Sequence, residues 1–175
     1  MWSNNGSVDT NDWERLAFGE PSLPLLRRIS LVRRLRSARA YLTACFIYRN
    51  DGFSKASDYL HLLSLHTPPL GASTNEEAVR QARRTMAFFR CLGRLAHEDL
   101  LCLPAATSLT AGLIALGLPA QLVVGKAEYL LNKTYDFHAW TEINGIPIND
   151  KPIVRQCYLP LLKWPDWKHH PHMFN

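Results

Sequence analysis

The chain has 175 residues, of which 47% are hydrophobic and 20% charged, a composition that predicts a folded globular protein with one main domain. Its formal net charge of +5 is concentrated near the N-terminus, because seven arginines and no acidic residue lie between Pro24 and Asn50. The first residues lack the short basic region and apolar run of a secretory signal, so a cytoplasmic location is predicted.

The N-terminal half is predicted to be helical. Residues 1–20 are polar and predicted to be flexible, and residues 21–90 to form a helical region. A basic helix is predicted to begin at Pro24 because apolar residues recur at helical spacing, with arginines on the other faces. These apolar residues are Leu25, Ile29, Val32, Leu35, Tyr41 and Leu42.

Turn and capping signals divide the rest of this half. Asn50–Gly52 predicts a turn, residues 55–65 a short helix, and Pro68, Pro69 and Gly71 a loop. Ser73 or Thr74 stands before Glu76 and Glu77, which is typical of a helix start, and a long amphipathic helix is predicted to follow.

Residues 100–125 carry no charge, yet they do not predict a membrane span. Pro104 and then Gly117 and Pro119 divide the stretch into a helix of about 13 residues and a strand, whereas a span needs roughly 20 residues. We predict a buried helix at about 103–116 and a buried strand, AQLVVG, followed by a hairpin at Asn144-Gly145. Residues 91–163 then form an α+β core, and residues 164–175 a tail.

The cysteines and the C-terminal histidines do not predict a metal site. The four cysteines include no CxxC pair, which in a cytosolic protein argues against both a disulfide framework and a structural zinc site. Cys45, Cys91 and Cys157 are interpreted as structural. The cluster of His169, His170 and His172 is interpreted as part of a flexible tail.

Cys102 differs from the other cysteines because it stands where the buried helix is predicted to begin, just ahead of Leu103 and Pro104. A helix N-terminus lowers a thiol pKa, and its unpaired N–H groups can form an oxyanion hole. An isolated cysteine in an apolar stretch is more often a small buried hydrophobe. Position alone leaves both interpretations open.

His138 and Asp150 flank the predicted hairpin, and the hairpin register decides whether they meet. A two-residue turn would place His138 opposite Lys151, with Asp150 on the other face. A three-residue loop, Ile143–Gly145, with Gly145 in a bulge would place His138 directly opposite Asp150 and beside Trp140 and Ile148. The hydrophobic pattern fits both registers. We predict the second, since it alone makes a His–Asp pair, with both side chains on the face turned towards Cys102.

A thiol, an imidazole and a carboxylate in this order suit nucleophilic catalysis. The imidazole accepts and returns the thiol proton, and the carboxylate fixes the tautomer and orientation of the imidazole. Cys102 at a helix start, followed by His138 and Asp150 on adjacent strands, is a papain-like or transglutaminase-like arrangement.

The stretches CLPAATSLTAGLIALGLPAQLVVG and FHAWTEINGIPIND resemble the leader peptidase of lasso-peptide biosynthesis, the B-protein with a transglutaminase-like fold. The shared features are a Cys-Leu that opens a helix, a Gly-Xaa-Pro-Ala turn, a Leu-Val-Xaa-Gly strand, a His-Ala-Trp-Xaa-Glu strand and a terminal Asn-Asp. They span about residues 88–160. The resemblance implies a buried helix carrying the cysteine against a small antiparallel sheet, with the catalytic core in residues 91–163.

The resemblance also implies an activity and partners. It implies a cysteine peptidase that removes the leader from a ribosomally made precursor peptide, with catalytic roles for Cys102, His138 and Asp150 and no cofactor. An asparagine-synthetase-like cyclase would then close the ring, and ATP dependence would enter through that partner. Residues 1–50 do not resemble the strand-rich PqqD-like module of some family members, so a separate leader-binding protein is expected.

Two alternatives remain open at this stage. The same thiol chemistry could transfer the acyl group to an amine, as a transglutaminase or acyltransferase does. Alternatively, the chain could be a non-catalytic binding module that presents its basic helix to a partner protein, an acidic surface or nucleic acid. A solvated basic face explains that helix at least as well, and no nucleic-acid partner is expected.

Overall fold

The computed structural model of the protein describes residues 29–70, 74–96, 101–127 and 137–166. Its helices are α1 (Leu31–His66), α2 (Asn75–Ala96), α3 (Cys102–Ala115) and the short α4 (Val154–Cys157). Its strands are β1 (Ala120–Ala127), β2 (Phe137–Ile143), β3 (Ile146–Pro147) and β4 (Tyr158–Trp164). The strands form one antiparallel sheet in the order β3-β2-β1-β4. The predicted α+β fold, with a helical first half, is therefore confirmed.

Helix α1 begins at Leu31, so the prediction that it begins at Pro24 is wrong, although residues 24–28 themselves lie outside the described ranges. Ser30 caps it, because its hydroxyl accepts a hydrogen bond from the backbone N–H of Arg33 at 3.3 Å. Gly52, at φ 81°, interrupts α1 at the predicted turn. Residues of both halves line a common cavity, so the chain folds back on itself at this point.

The buried face of α1 differs from the predicted one. Val32 and Leu35 are 59% and 62% exposed, whereas small side chains face α3. Ser37 donates a hydrogen bond to the carbonyl of Gly112 on α3 at 2.8 Å, a contact that requires the two helices to lie close together. This close approach has no room for the larger side chains, which therefore lie outside it. The buried α1 residues are Ser37, Ala40, Tyr41, Ala44, Cys45, Ala56, Leu60 and Ser64.

Helix α2 starts with the predicted capping box. The backbone N–H of Glu77 donates to the Thr74 hydroxyl at 3.3 Å, and the Glu77 carboxylate accepts from the N–H of Thr74 at 3.2 Å. Phe89 then brings α2 against the core, where its ring stacks on Tyr41 of α1 with centroids 5.4 Å apart.

Helix α3 is the centre of the fold and confirms the predicted buried helix. Residues 106–115 are all buried. The helix ends in a Schellman motif, because Leu118 N–H donates to Leu113 O at 3.1 Å and Gly117 N–H to Ile114 O at 2.7 Å. β1 follows as the predicted buried strand. No helix in the described ranges is long and apolar enough to cross a membrane.

The sheet packs one face on α3. The Thr141 hydroxyl lies 3.1 Å from both the Ala106 carbonyl and the Thr110 hydroxyl of α3. Alternate residues of β2 point to the opposite face, where Trp140 packs with Val123, Val154 and Tyr158 in a smaller cluster. The sheet thus has a core face against α3 and a second face on which aromatic side chains gather.

Candidate active site

The hairpin between β2 and β3 has a two-residue turn, so the predicted three-residue loop is wrong. Ile143 pairs with Ile146 and Glu142 with Pro147, which leaves only Asn144 and Gly145 in the turn. Their φ angles of 49° and 79° are those of a type I′ turn, whose twist matches that of the flanking strands. Ile148 accordingly belongs to the core on the α3 side and does not share a face with Trp140.

His138 and Asp150 nevertheless meet, because the chain leaves the ladder before Asp150. The Ile148 N–H still donates to Thr141 O at 2.9 Å, but the next acceptor for the Thr141 N–H is the side-chain oxygen of Asn149, at 2.7 Å. β3 has already ended at Pro147, so Asp150 is not held to the face that the register would give it. Its Oδ2 lies 2.5 Å from His138 Nε2.

The Asp150 carboxylate is held by the backbone of the next residue. Its Oδ1 accepts a hydrogen bond from the Lys151 N–H at 2.7 Å, which leaves Oδ2 directed at the imidazole. The side chains of His138 and Asp150 are 28% and 30% exposed, so the pair lies at the surface of the sheet within reach of a ligand. Since Asp150 occupies Nε2, Nδ1 is the imidazole nitrogen left for a reacting group.

Aromatic rings support the imidazole. Trp140 stacks on His138 with centroids 6.0 Å apart at 22°, and the Tyr158 ring lies 5.2 Å away. The Trp140 indole N–H donates to Glu142 at 2.9 Å. His138, Trp140 and Glu142 alternate along β2 and therefore lie on one face.

Glu142 was not singled out from the sequence, although it is completely buried. Besides accepting from Trp140, its carboxylate lies 3.1 Å from Lys163 Nζ and 3.4 Å from Arg155 Nε. Burying a carboxylate is costly unless it is paired, and here two cations and an N–H satisfy it. The sequence does show that Glu142 lies two residues after Trp140, on the same face of a strand. It does not show that Arg155 and Lys163, from later parts of the chain, pair with its carboxylate.

Cys102 is the first residue of α3 and is partly buried. The preceding residue, Leu101, has no side-chain acceptor to cap the helix. Ala105 N–H already donates to Leu101 O at 3.1 Å, and Pro104 has no N–H. Within the described residues, the N–H groups of Cys102 and Leu103 thus remain available to an anionic group beside the thiol.

Topology brings Cys102 and His138 to the same end of the helix–sheet layer. α3 turns back into β1, and β2 is antiparallel to β1, so α3 and β2 run in the same direction. From the contact between Ala106 and Thr141, Cys102 lies one helical turn back and His138 three strand residues back. The His138 side chain shares the face of β2 with Trp140, opposite the face whose Thr141 contacts α3, so the prediction that it faces Cys102 is wrong. Among the described residues, the one side-chain hydrogen bond of the imidazole goes to Asp150 and none joins it to Cys102.

Tyr48 also lies at this end of the molecule, close to Cys102, although its position in the sequence does not predict this. Burial raises the pKa of its phenol, and the neighbouring Cys102 raises it further, so the hydroxyl keeps its proton beside the thiol. No sequence pattern connects Tyr48 to Cys102, because the two are brought together by the packing of α1 on α3.

The other cysteines are free thiols in different settings. Cys45 is buried, as expected of a structural thiol, whereas Cys91 is exposed. Cys157 is partly buried in α4. No cluster of metal-binding side chains occurs in the described ranges, and the His169, His170 and His172 group lies outside them.

Comparison with known proteins gives one match. The family described as the transglutaminase-like superfamily matches residues 51–163, which is more than half of the chain and includes Cys102, His138 and Asp150. No curated protein and no solved structure matches the chain.

Proposed function

The chain belongs to the transglutaminase-like superfamily, whose members are generally cysteine-dependent enzymes, and we propose that it is a cysteine peptidase. Its proposed reaction is removal of the leader from a ribosomally synthesised lasso-peptide precursor. The catalytic residues in this proposal are Cys102, His138 and Asp150. The superfamily supports thiol-based acyl chemistry; the substrate is the proposed part.

The first step is attack of the Cys102 sulfur on the scissile carbonyl carbon. This step requires the imidazole to turn past the end of β2 towards the thiol, so that His138 Nδ1 takes the thiol proton while Asp150 holds the opposite nitrogen and stabilises the imidazolium. The N–H groups of Cys102 and Leu103 donate to the oxyanion of the tetrahedral intermediate. The imidazolium then protonates the leaving amine, and a thioester remains on Cys102.

The second step is hydrolysis of that thioester. His138 Nδ1 removes a proton from water, the resulting hydroxide adds to the thioester carbonyl, and collapse of the intermediate expels the Cys102 thiolate, which is reprotonated by His138. The leader leaves with a free carboxylate, and the core peptide has already left with a free amino terminus. One water molecule is consumed for each peptide bond cleaved.

The observation that carries the proposal is the hydrogen bond between His138 Nε2 and Asp150 Oδ2 at 2.5 Å. It leaves Nδ1 as the proton acceptor. It also forms although the register of the hairpin would separate the two residues, because Asn149 takes the place of a backbone acceptor and releases the chain from the ladder.

The cellular setting is part of the proposal. We propose a cytoplasmic peptidase that works with a separate PqqD-like leader-binding protein and an asparagine-synthetase-like cyclase. The peptidase chemistry itself uses no cofactor, so any ATP requirement belongs to the cyclase. The free amine made by leader removal is the nucleophile that a ring-closing enzyme requires.

The test compares two cysteine substitutions by mass spectrometry of a precursor peptide after incubation with the protein and a leader-binding partner. Cys102→Ala should abolish cleavage, with the remaining rate at least 10³-fold lower, because no other group forms the acyl-enzyme. Cys91→Ala, at an exposed thiol on α2, should cleave as the unmodified protein does. Cleavage by Cys102→Ala would rule out the mechanism.

Product mass and thiol reactivity separate the two alternatives. Acyl transfer to an added amine would give an amide product instead of a free leader carboxylate. A non-catalytic binding module would leave the precursor intact, and its Cys102 would react with iodoacetamide no faster than the exposed Cys91 at neutral pH.

A further inference from the structure

A cavity of about 320 Å³ opens between the two halves of α1, at the C-terminal end of α3. We call it the arginine cavity. Arg33, Arg36 and Arg39 line it from the first half of α1, and Tyr59, Leu63 and His66 from the second. The three arginines are three residues apart, so they lie on one face of the helix.

The described part of the chain supplies no counter-charge to the arginine cavity. No aspartate or glutamate is among the described residues that line it, and no carboxylate of the described residues forms an ion pair with Arg33, Arg36 or Arg39. Arg33 is partly occupied, because it donates to Leu116 O at 3.3 Å and Pro69 O at 3.4 Å. Arg36 and Arg39 are exposed, and within the described ranges no hydrogen bond or ion pair engages their guanidinium groups.

Tyr59 and His66 are polar groups at the arginine cavity. Burial raises the pKa of Tyr59, whereas a hydrogen bond to Thr43 and the charge of Arg39 lower it. His66 has its Nδ1 2.8 Å from the Leu62 carbonyl, an acceptor that fixes the ring. Three like charges held on one helix face repel each other, and a bound anion would relieve that repulsion.

We propose that the arginine cavity binds a phosphate or diphosphate group. Guanidinium forks match the oxygens of phosphate in bidentate geometry, and a diphosphate carries enough charge to neutralise the arginines. The site is separate from the candidate active site: Ala115 borders the arginine cavity, and Cys102 lies at the other end of α3, about 20 Å away at 1.5 Å per residue.

The test is thermal unfolding of the full chain with added diphosphate at constant ionic strength. Diphosphate at ten times its dissociation constant should raise the Tm by about 3–5 °C. The double variant Arg36→Gln/Arg39→Gln should lose this rise. The control Arg83→Gln/Arg90→Gln removes the same charge from exposed positions on α2 and should keep it.

The ligand arms identify the source of the phosphate. The Tm is measured with diphosphate alone and with a nucleoside diphosphate. A rise in Tm with either ligand supports the proposal, and the ligand that gives the larger rise is the source that the arginine cavity prefers. Citrate is the carboxylate comparison. The proposal is overturned if neither phosphate ligand raises the Tm, if citrate matches diphosphate, or if the Arg36→Gln/Arg39→Gln variant responds as the control does. Should that variant not fold, Arg36→Gln alone replaces it, with the rise reduced at least by half.

Discussion

Glu142 connects the stability of the sheet to the orientation of the candidate base. Its buried carboxylate accepts from the Trp140 indole, and the Trp140 ring in turn stacks on His138. Arg155 and Lys163, whose own side chains are partly exposed, neutralise the carboxylate. Trp140 is fully buried, so its indole N–H cannot donate to water if Glu142 is lost. We therefore expect the hydrogen-bond acceptor at position 142 to contribute more to stability than the negative charge.

Two substitutions at Glu142 test this ranking. Glu142→Gln keeps an acceptor for the indole and should lower the free energy of unfolding by about 1 kcal/mol. Glu142→Ala leaves the indole N–H buried without a partner and opens a cavity, so the loss should be roughly 2–4 kcal/mol. Urea unfolding monitored by tryptophan fluorescence measures both values.

The cations provide the control for Glu142. Arg155→Gln and Lys163→Gln each remove one charge whose side chain is 48% or 38% exposed, and each should cost only about 0–1 kcal/mol. Equal losses for Glu142→Gln and Glu142→Ala would contradict the view that the hydrogen bond to Trp140 dominates.

At the scale of elements, local signals predicted the helices better than the hairpin register. The α2 start is specified by Thr74 and Glu77, and the α3 end by Gly117, which all act within a few residues. The hairpin register depends on a choice between two turns that the hydrophobic pattern fits equally. The Asn144-Gly145 pair favours the two-residue turn on its own chemistry, and that preference prevailed.

The meeting of His138 and Asp150 could not be deduced from register at all. It depends on Asn149, whose side chain substitutes for a backbone acceptor and ends the ladder. The buried face of α1 was unpredictable for a related reason. Ser37 and Ala40 face α3 because the two helices lie close together there. The α1 sequence alone does not indicate how closely the neighbouring helix packs.

Two glycines with nearly the same φ should respond differently to alanine. Gly145, at φ 79°, has only the flexible end of Arg155 near an added Cβ, at 3.3 Å, so Gly145→Ala should cost about 1–2 kcal/mol from backbone strain alone. Gly117, at φ 84°, has the backbone atoms Leu70 N and Pro68 O at 2.7 Å. Gly117→Ala should therefore cost roughly 3–5 kcal/mol.

Each variant serves as the control for the other, because both introduce the same backbone strain. The difference between their losses in stability therefore measures the effect of the atoms around the added Cβ. Urea midpoints give the two losses under the same conditions. If Gly145→Ala were as damaging as Gly117→Ala, the space around each glycine would not be what separates them.

At the scale of the whole molecule, one core joins the helical half to the sheet. Tyr41 of α1, Phe89 of α2, Leu113 of α3 and Leu122 of β1 belong to the same buried cluster. The region that carries Cys102 and His138 therefore shares its stability with α1 and α2. A single cooperative unfolding transition follows from this arrangement.

Alkaline pH should weaken this common core through Tyr41. The ring is 4% exposed, and burial, followed by the charge of Cys45, raises its pKa from 10.0 to about 12. The phenol is therefore harder to ionise in the folded chain than in the unfolded one. Its contribution is fully present below pH 10 and is lost as the pH rises towards 12, which amounts to about 1 kcal/mol by pH 11.

The Tyr41→Phe variant isolates this contribution, because all other groups titrate in both proteins. Phenylalanine keeps the stacking on Phe89 but cannot ionise, so the variant should lose less stability than the unmodified protein between pH 9 and pH 11. The difference between the two urea-unfolding free energies should change by about 1 kcal/mol over that interval. A difference independent of pH would mean that the Tyr41 phenol ionises as easily in the core as in the unfolded chain.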